Sequence, residues 1–412
     1  MTQTPWFDLP QATSCGWQRT SNVAVIGAGI AGLCTARALA KNGFNVTVYD
    51  SAAKCAAGAS GSPAGIVKPY VTRVPSDAMR FHDLAYATLM RWLAELESSG
   101  GYRPIGALQL VGSSYGDRDA AEKMAYELLD AQTSSTVSGV TLNSASIFFK
   151  HAGWLPVWKL CESLLLDLEE RGGAFIGLHK LTDIGWQEAE KTWSLSFENA
   201  PKVQYKQVVL ANGAALSQQK LVSTTELIPA RGQISAMHRA FELHTVVSGQ
   251  HYAIPDESCV WVGASFDRGN DNSAVSDADD IENRNVGNAL LGNDLSPDAD
   301  KPLGQVIDRF AGVRCTTLDR FPIVGPVPNT DTAQRQYHDI HHGRKLSAYP
   351  APSFYPGLAV VGGLGAKGIA IAPFAADLLA DWATGGNQLI GQNRLVSPLR
   401  FLIRRLKRQQ EK

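Results

Sequence analysis

Three glycines and one aspartate near the start of the chain have the spacing that binds a dinucleotide. Gly27, Gly29 and Gly32 form a G-x-G-x-x-G pattern after a short apolar run, and Asp50 follows 18 residues beyond Gly32. Glycines in this pattern permit a tight turn, close approach of a pyrophosphate and close packing of a helix on a strand, while the carboxylate accepts hydrogen bonds from a ribose. The pattern predicts dinucleotide binding but does not separate FAD from NAD.

A second glycine-rich segment, residues 358–369, favours FAD. It runs from an apolar stretch through a glycine-rich turn into an apolar helical pattern. Glycines at such a turn let a flat ring approach the backbone, and the positive end of the next helix suits the N1–C2=O edge of a flavin. Residues 208–214 form another strand that ends in small residues. That strand either returns the chain past the cofactor or is an ordinary buried strand and turn.

Positioning these residues requires a β-α-β unit at the start of the chain and strands that return to it later. Strand patterns at 23–26 and 45–49 flank a helical pattern at 33–41, which Asn42 and Gly43 close. Short apolar runs and helical periodicity alternate further along. The other predicted strands are 105–111, 193–197, 203–210, 232–236 and 260–264, and the other predicted helices are 77–96, 120–130, a long one that follows a loop at 153 and ends at 171, and 372–382.

The predicted fold class is α/β with two domains, a Rossmann-like FAD-binding domain and an inserted substrate domain built on an antiparallel sheet. The FAD-binding domain is expected to be discontinuous, with the substrate domain filling its gaps. The predicted bounds are an N-terminal linker at 1–22, FAD-binding segments at 23–80, 145–215 and 310–400, substrate-domain segments at 81–144 and 216–309, and a basic C-terminal tail at 401–412.

Composition and charge argue against several functional classes. The 412 residues are 44% hydrophobic with a net charge of −1, so no general basic field indicates nucleic-acid binding. The six cysteines include no C-x-x-C pair, which argues against a disulfide framework or a zinc site. No signal peptide or membrane-spanning run is evident, so a cytoplasmic location is expected. His338, His341 and His342 are interpreted as part of an exposed loop, and no metal site is predicted.

The end of the chain is locally basic. Glu411 is the only acidic residue among a group of arginines and lysines there. This stretch is either a solvated terminal helix or a contact for a phosphate backbone. The basic residues are Arg394, Arg400, Arg404, Arg405, Lys407 and Arg408.

The glycine segments and the 208–214 strand together resemble the D-amino-acid oxidase superfamily, which includes glycine oxidase and sarcosine oxidase. The resemblance covers almost the whole chain after residue 22. Shorter motifs resemble the FAD domain of the MnmC family, whose bifunctional members modify the wobble uridine of tRNA. The matching segments are 58–61 with Gly65 and Pro69, 153–155, 231–235, 263–269, and 312–320 with Pro322, Val324 and Gly325. Ser62, Ala64 and Lys68 stand where that family has Asn, Gln and Tyr.

The resemblance implies non-covalent FAD and tRNA as the substrate. The implied reaction removes the carboxymethyl group of 5-carboxymethylaminomethyl(-2-thio)uridine, giving 5-aminomethyl(-2-thio)uridine and glyoxylate. A separate methyltransferase is an expected partner, because this sequence is expected to be the oxidoreductase half standing alone. Two alternatives remain: an FAD-dependent oxidase or dehydrogenase of a free small amino acid (glycine, sarcosine or a D-amino acid), and a tRNA-binding module whose FAD is structural.

The resemblance also assigns roles to single residues. Arg314 occupies the position of the carboxylate-binding arginine of glycine oxidase, and Tyr252 is a second hydrogen-bonding candidate. Lys68 and Lys367 are candidate cations near the flavin. Each has a structural alternative, namely a surface ion pair for Arg314, a packing role for Tyr252 and a solvent-facing position for the lysines.

Two further residues and the full cofactor set complete the predicted site. Arg268 is expected to contact either the substrate or a tRNA phosphate, and Cys315 is expected to be a packed free thiol rather than a flavin attachment point. The predicted cofactor-binding residues are Gly27, Ala28, Gly29, Ile30, Ala31, Gly32, Asp50, Ser51, Ala59, Ser60, Gly61, Ala211, Asn212, Gly213, Gly363, Leu364, Gly365, Ala366, Lys367 and Gly368.

Overall fold

The computed structural model describes residues 5–71, 76–96, 100–111, 126–239, 241–291 and 303–408. The chain divides into two compact units. The first unit comprises Met1–Ser60, Cys161–Pro229 and Arg314–Lys412, and the second comprises Gly61–Leu160 and Ala230–Val313.

Strands and helices are labelled in chain order. The strands are β1 (Val23–Ile26), β2 (Val46–Tyr49), β3 (Gly65–Val67), β4 (Ala107–Leu110), β5 (Glu127–Leu129), β6 (Ser146–Phe149), β7 (Gly153–Leu155), β8 (Ala174–Ile176), β9 (Leu181–Gln187), β10 (Thr192–Phe197), β11 (Ala200–Tyr205), β12 (Gln207–Leu210), β13 (Ile228–Arg239), β14 (Val246–Ser248), β15 (Tyr252–Pro255), β16 (Cys259–Gly263), β17 (Asp267–Arg268), β18 (Leu303–Thr316), β19 (Ile323–Pro328) and β20 (Phe354–Gly362). The helices are α1 (Ile30–Lys41), α2 (Asp77–Glu95), α3 (Ala131–Ser138), α4 (Val157–Glu170), α5 (Asp277–Leu290), α6 (Thr330–Gln336), α7 (Gly368–Ala383), α8 (Gln388–Val396) and α9 (Arg400–Arg408).

The first unit is built on a sheet with the strand order β19-β20-β12-β1-β2-β8. Strands β2, β1, β12 and β20 run parallel, and β19 is antiparallel to β20. Every residue of β1 and β12 is buried, as expected for strands covered on both faces. Helices α1 and α7 pack together, while the small sheet β11-β10-β9 contributes Trp193 and Leu195 to a core with Val208 and Leu358.

Register in this sheet brings three chain segments to one edge. Ile26 of β1 lies beside Leu210 of β12, and Leu210 lies beside Val360 of β20. The carboxyl ends of these neighbouring parallel strands therefore meet, and each strand continues into one of the predicted cofactor segments. Ligands of open parallel sheets bind at this kind of edge.

The second unit is built on a largely antiparallel sheet with the path β17-β13-β16-β15-β14-β4-β6-β5, and β18 also pairs with β13. Neighbouring residues of its strands alternate between two apolar clusters. Ala107 and Ile254 belong to one cluster, whereas Leu108 and Ala253 belong to the other. Successive side chains of a strand point to opposite faces, so this sheet is covered by apolar contacts on both.

The two units differ from the predicted domains at several bounds. Residues 61–80 and 145–160 belong to the second unit, because β3 pairs with β7 and β6 pairs with β4. The segment 216–229 belongs to the first unit instead, and residues 310–313 belong to the second. The described residues of the predicted N-terminal linker are also part of the first unit, where Trp6 and Trp17 are buried.

Three local predictions also differ from the structure. The predicted helix at 120–130 falls partly outside the described residues, and its end forms strand β5, since Glu127–Leu129 pairs with β6. His338 and His342 are exposed as expected, but their segment begins with helix α6 and continues in short turns, within which Tyr337 and Ile340 are buried. The described part of the predicted basic tail is the packed helix α9.

Candidate functional site

The first glycine turn is packed so tightly that side chains are excluded. Gly27 follows β1 with φ of +110°, and a Cβ there would lie 2.6 Å from the carbonyl oxygen of Ala211. A Cβ at Gly32 would lie 1.7 Å from the carbonyl oxygen of Gly27. The glycines therefore let α1 begin directly against the end of β1. They also place the turn against the end of β12.

Side chains from two other segments hold the start of α1. Gly29 is the N-cap residue and has no side chain to cap the helix. The Ile30 N–H donates to Ser60 Oγ at 2.9 Å, and the Ala28 N–H donates to Asp50 Oδ2 at 2.6 Å. Asp50 Oδ1 accepts the N–H of Ala52 at 2.8 Å. Because the first N–H groups of a helix have no partner within it, this turn can donate to phosphate oxygens.

The segment after β12 adds an unsatisfied acceptor near this turn. Asn212 Oδ1 is buried and has no hydrogen-bond partner among the described residues. A buried carbonyl oxygen without a partner is costly, so it favours a ligand that brings a hydroxyl or N–H donor. Gly213 has φ of +60° and nothing near its absent side chain, so the chain leaves β12 through an open turn.

The second glycine turn follows β20 and packs on the end of β18. Gly363 and Gly365 have φ of +66° and +60°. A Cβ at Gly363 would lie 2.8 Å from Thr317 Cγ2, and a Cβ at Gly365 would lie 3.2 Å from Thr316 Oγ1. Helix α7 then begins at Gly368. Glycine is therefore required here by positive φ and by close packing on the threonines, and the turn leads into a helix N-terminus.

Arg314 directly precedes the segment that packs on this turn. It is half-buried in β18, two residues before Thr316. The connection that follows is fixed by Thr317 Oγ1, which donates to the Phe321 carbonyl at 2.7 Å, and by Asp319, which accepts from Arg400 Nε and Nη2 at 2.9 Å each. Arg314 is therefore separated by two residues along β18 from Thr316, which packs on the second glycine turn.

Cys315 lies between Arg314 and Thr316 and is buried. Burial raises the pKa of the Cys315 thiol to about 12, although a hydrogen bond with the Gly363 backbone opposes this. A protonated thiol is a poor nucleophile, since the thiolate is the reactive form. This environment supports the expectation of a packed free thiol and a non-covalent cofactor.

The residues of the first unit fit a dinucleotide with a flat ring at one end. Asp50 and the first glycine turn provide acceptors for a ribose and donors for phosphates. The orphaned oxygen of Asn212 lies on the next segment, and the bare turn at 363–365 lies beyond it along the same sheet edge. Ser51, Ala366 and Lys367 are exposed.

Lys68, in the second unit, is a largely buried cation. Its Nζ donates to Gln109 Oε1 at 2.6 Å and lies 5.5 Å from the centre of the Phe149 ring. Burial lowers the pKa of Lys68 to about 8. A neutral amide and an aromatic face compensate the charge only in part, so this lysine loses its proton more readily than an exposed one.

The other two candidates of the second unit lie on its sheet. Tyr252 begins β15, is half-buried and pairs directly with Gly263 of β16. Arg268 lies on the edge strand β17 and is exposed. No cluster of metal-ligating side chains occurs within the described ranges. In the same part of the chain, every helix is too short or too polar to cross a membrane.

Replacing Lys68 with methionine is expected to raise the free energy of unfolding at pH 7 by roughly 2 kcal/mol. The pKa shift from 10.5 to about 8 corresponds to roughly 3 kcal/mol of burial cost, offset partly by the lost hydrogen bond to Gln109. Between the two pKa values the unfolded chain binds more protons, so wild-type stability rises with pH there and the advantage of the variant shrinks. Urea unfolding at pH 7 and pH 9 measures this.

The exposed Lys202 provides the matched control for this substitution. Lys202→Met is expected to change stability little at either pH, because an exposed lysine carries no burial cost. If Lys68→Met is less stable than wild type at pH 7, then Gln109 and Phe149 compensate the buried charge well, and the predicted burial cost is wrong.

Sequence reasoning missed the residues that join the predicted segments. Thr316 and Thr317 support the second glycine turn, Asp319 anchors the next connection, and Gln109 holds Lys68. A polar residue inside an apolar strand was the only signal for Gln109. Thr317 and Asp319 lie in the 312–320 segment that resembles the MnmC family, but nothing local indicates which distant groups they contact.

Comparison with known proteins supports this assignment. A family model described as FAD dependent oxidoreductase matches residues 22–382. The tRNA 5-methylaminomethyl-2-thiouridine biosynthesis bifunctional protein MnmC of Chromobacterium violaceum is 28% identical over 98% of this chain and 62% of its own. The protein of that name from Shewanella amazonensis is 26% identical over 94% of this chain and 60% of its own. The chain thus spans about 60% of the length of these curated relatives.

Glycine oxidase from Geobacillus kaustophilus has the same fold. It aligns with a TM-score of 0.70 over 89% of this chain and 96% of its own, at 18% identity. The family match includes both glycine turns, Asp50, Asn212 and Arg314. The chain is therefore an FAD-binding enzyme and belongs to the family of FAD-dependent oxidoreductases.

Proposed function

We propose that this enzyme oxidises the C–N bond next to the carboxylate in the 5-carboxymethylaminomethyl(-2-thio)uridine side chain at the tRNA wobble position. The products are 5-aminomethyl(-2-thio)uridine and glyoxylate. The observation that carries the proposal is the position of Arg314, which directly precedes the segment packed on the bare 363–365 turn. The MnmC relatives supply the substrate class.

Arg314 is proposed to orient the substrate by binding its carboxylate. A guanidinium can hold both oxygens of a carboxylate, which fixes the position of the adjacent carbon. A bound FAD would supply the oxidising power, with the hydride equivalent leaving that carbon. The substrate amine and carbon then share a double bond, and water hydrolyses it to the free amine and the aldehyde of glyoxylate. The fixed geometry converts a bimolecular encounter into an oriented reaction.

Lys68 and Tyr252 are proposed as supporting groups. A lysine with a pKa of about 8 can exchange a proton near neutral pH, which suits a reaction that uses a neutral amine. Tyr252 can donate a hydrogen bond to a carboxylate. A separate methyltransferase that acts on the aminomethyl product is the proposed partner of the reaction sequence.

The alternative substrate is a free small amino acid such as glycine, sarcosine or a D-amino acid. The net charge of −1 and the fold shared with glycine oxidase favour it. The flavin chemistry is the same in both cases, so only the substrate distinguishes them.

Product analysis tests the proposed reaction. The enzyme is incubated with tRNA carrying 5-carboxymethylaminomethyluridine, and the digested nucleosides and trapped glyoxylate are then quantified. Equal amounts of 5-aminomethyluridine and glyoxylate are expected, and tRNA with unmodified uridine should yield neither. Glyoxylate formed from glycine but never from the modified tRNA would instead establish the free amino-acid enzyme.

A further inference from the structure

Helix α9 is a fixed part of the first unit and presents one basic side to solvent. Its buried residues Leu402, Ile403 and Leu406 pack in a cluster with Trp6 and Tyr337. Arg405, Lys407 and Arg408 are exposed on the same helix. The apolar side of α9 is already covered, so this helix cannot insert that side into a membrane surface.

The cations of α8 and α9 form two classes. Arg400 and Arg404 share a single counter-charge, because both form ion pairs with Asp319. Arg394, Arg405, Lys407 and Arg408 form the C-terminal basic surface. All four are exposed, and none forms an ion pair with another residue that the structure describes.

Like charges lie close together on this surface. Lys407 Nζ is 4.7 Å from the centre of the Trp6 ring. Burial and the neighbouring charge of Arg394 both lower the pKa of Lys407. Repulsion between adjacent unpaired cations is relieved by a ligand that carries several negative charges.

The surface also contrasts with the remainder of the protein. Residues 394–412 contain seven arginines and lysines against one acidic residue, although the whole chain has a net charge of −1. Positive charge is therefore concentrated at this end. A local field of this kind attracts polyanions even when the net charge is slightly negative.

We propose that the C-terminal basic surface binds the phosphate backbone of the tRNA substrate. This inference rests on the proposed function for the identity of the RNA. Arginine forks match phosphate oxygens, and the repeated phosphate charge of RNA suits a group of cations that form no ion pair within the described residues. The surface contributes affinity and orientation without reading the base sequence.

The test compares tRNA binding by two triple variants that lose the same charge. One is Arg405→Gln/Lys407→Gln/Arg408→Gln, and the control is Lys191→Gln/Lys202→Gln/Lys206→Gln, whose lysines are exposed elsewhere in the first unit. Fluorescence anisotropy with labelled tRNA gives Kd at several salt concentrations. The first variant is expected to bind at least about tenfold more weakly, and the slope of log Kd against log salt should fall by roughly two to three. The control should retain the wild-type values.

Flavin content and melting temperature show whether both variants are folded. Unchanged Kd and salt slope in the first variant would overturn the inference. Displacement of bound tRNA from the wild-type protein by polyglutamate at equal charge concentration would also overturn it, because an acidic protein would then be the occupant. Binding does not depend on oxidation, so loss of binding in the first variant supports this surface even if tRNA is never oxidised. If the first variant oxidises and binds tRNA normally, the C-terminal basic surface is not the tRNA site, and the proposed function is unaffected.

Discussion

Gly32→Ala is expected to yield a protein that retains little or no FAD after purification. The added Cβ would lie 1.7 Å from the Gly27 carbonyl oxygen, which belongs to the backbone and cannot rotate away. Helix α1 must therefore move off β1, and its first N–H groups lose their position for the pyrophosphate. Overpacking of this kind costs about 1–3 kcal/mol, or roughly 10- to 100-fold in affinity if the cost falls on binding. Flavin absorbance and FAD titration of the apoprotein measure the effect.

Gly391→Ala is the matched control, because Gly391 lies in helix α8 and a Cβ there meets nothing within 4 Å. That variant is expected to bind FAD like wild type and to be slightly more stable, since alanine is the better helix former. Wild-type FAD affinity in Gly32→Ala would mean that the first glycine turn does not hold the cofactor.

Arg314→Ala is expected to reduce the second-order rate constant for flavin reduction by roughly 100- to 1,000-fold. Loss of one partner from a desolvated carboxylate–arginine pair costs about 2–5 kcal/mol. Arg314→Lys should recover only part of this, because an ammonium lacks the planar fork that binds two oxygens. FAD content should remain that of wild type. Anaerobic stopped-flow measurement over a range of substrate concentrations provides the rate constants.

An amide analogue separates a role in substrate binding from a structural one. Wild type should strongly prefer the carboxylate substrate over its amide, and Arg314→Ala should lose that preference. Arg19→Ala, at an exposed arginine of the same unit, should leave both rates unchanged. A persistent carboxylate preference in Arg314→Ala would assign carboxylate binding to another residue.

Local sequence predicted the strand-turn-helix structure around both glycine segments. Gly27, Gly29 and Gly32 between a strand and a helix, with Asp50 at the end of the next strand, constrain a short stretch of backbone through sterics alone. The structure confirms this β-α-β unit. The second glycine segment was also predictable, because positive φ at Gly363 and Gly365 is a local requirement.

The predicted domain bounds differ from the structure because pairing between distant strands decides which unit a segment joins. β3 and β7 are short strands far apart in sequence, and their pairing moves residues 61–80 away from the predicted FAD-binding domain. No local pattern encodes which distant strand supplies the hydrogen bonds. The packing of α9 was missed for a similar reason, since its arginines dominate the pattern while its leucines and isoleucine find partners near Trp6 and Tyr337.

Anaerobic mixing of the flavin-bound enzyme with tRNA carrying 5-carboxymethylaminomethyluridine shows whether this tRNA is the substrate that reduces the flavin. Glycine, sarcosine and D-alanine are mixed in parallel, and the oxidised flavin absorption is followed in each reaction. Rapid bleaching by the modified tRNA is expected, with no bleaching by unmodified tRNA and slow or no bleaching by the free amino acids. Bleaching by a free amino acid alone would contradict the proposed function.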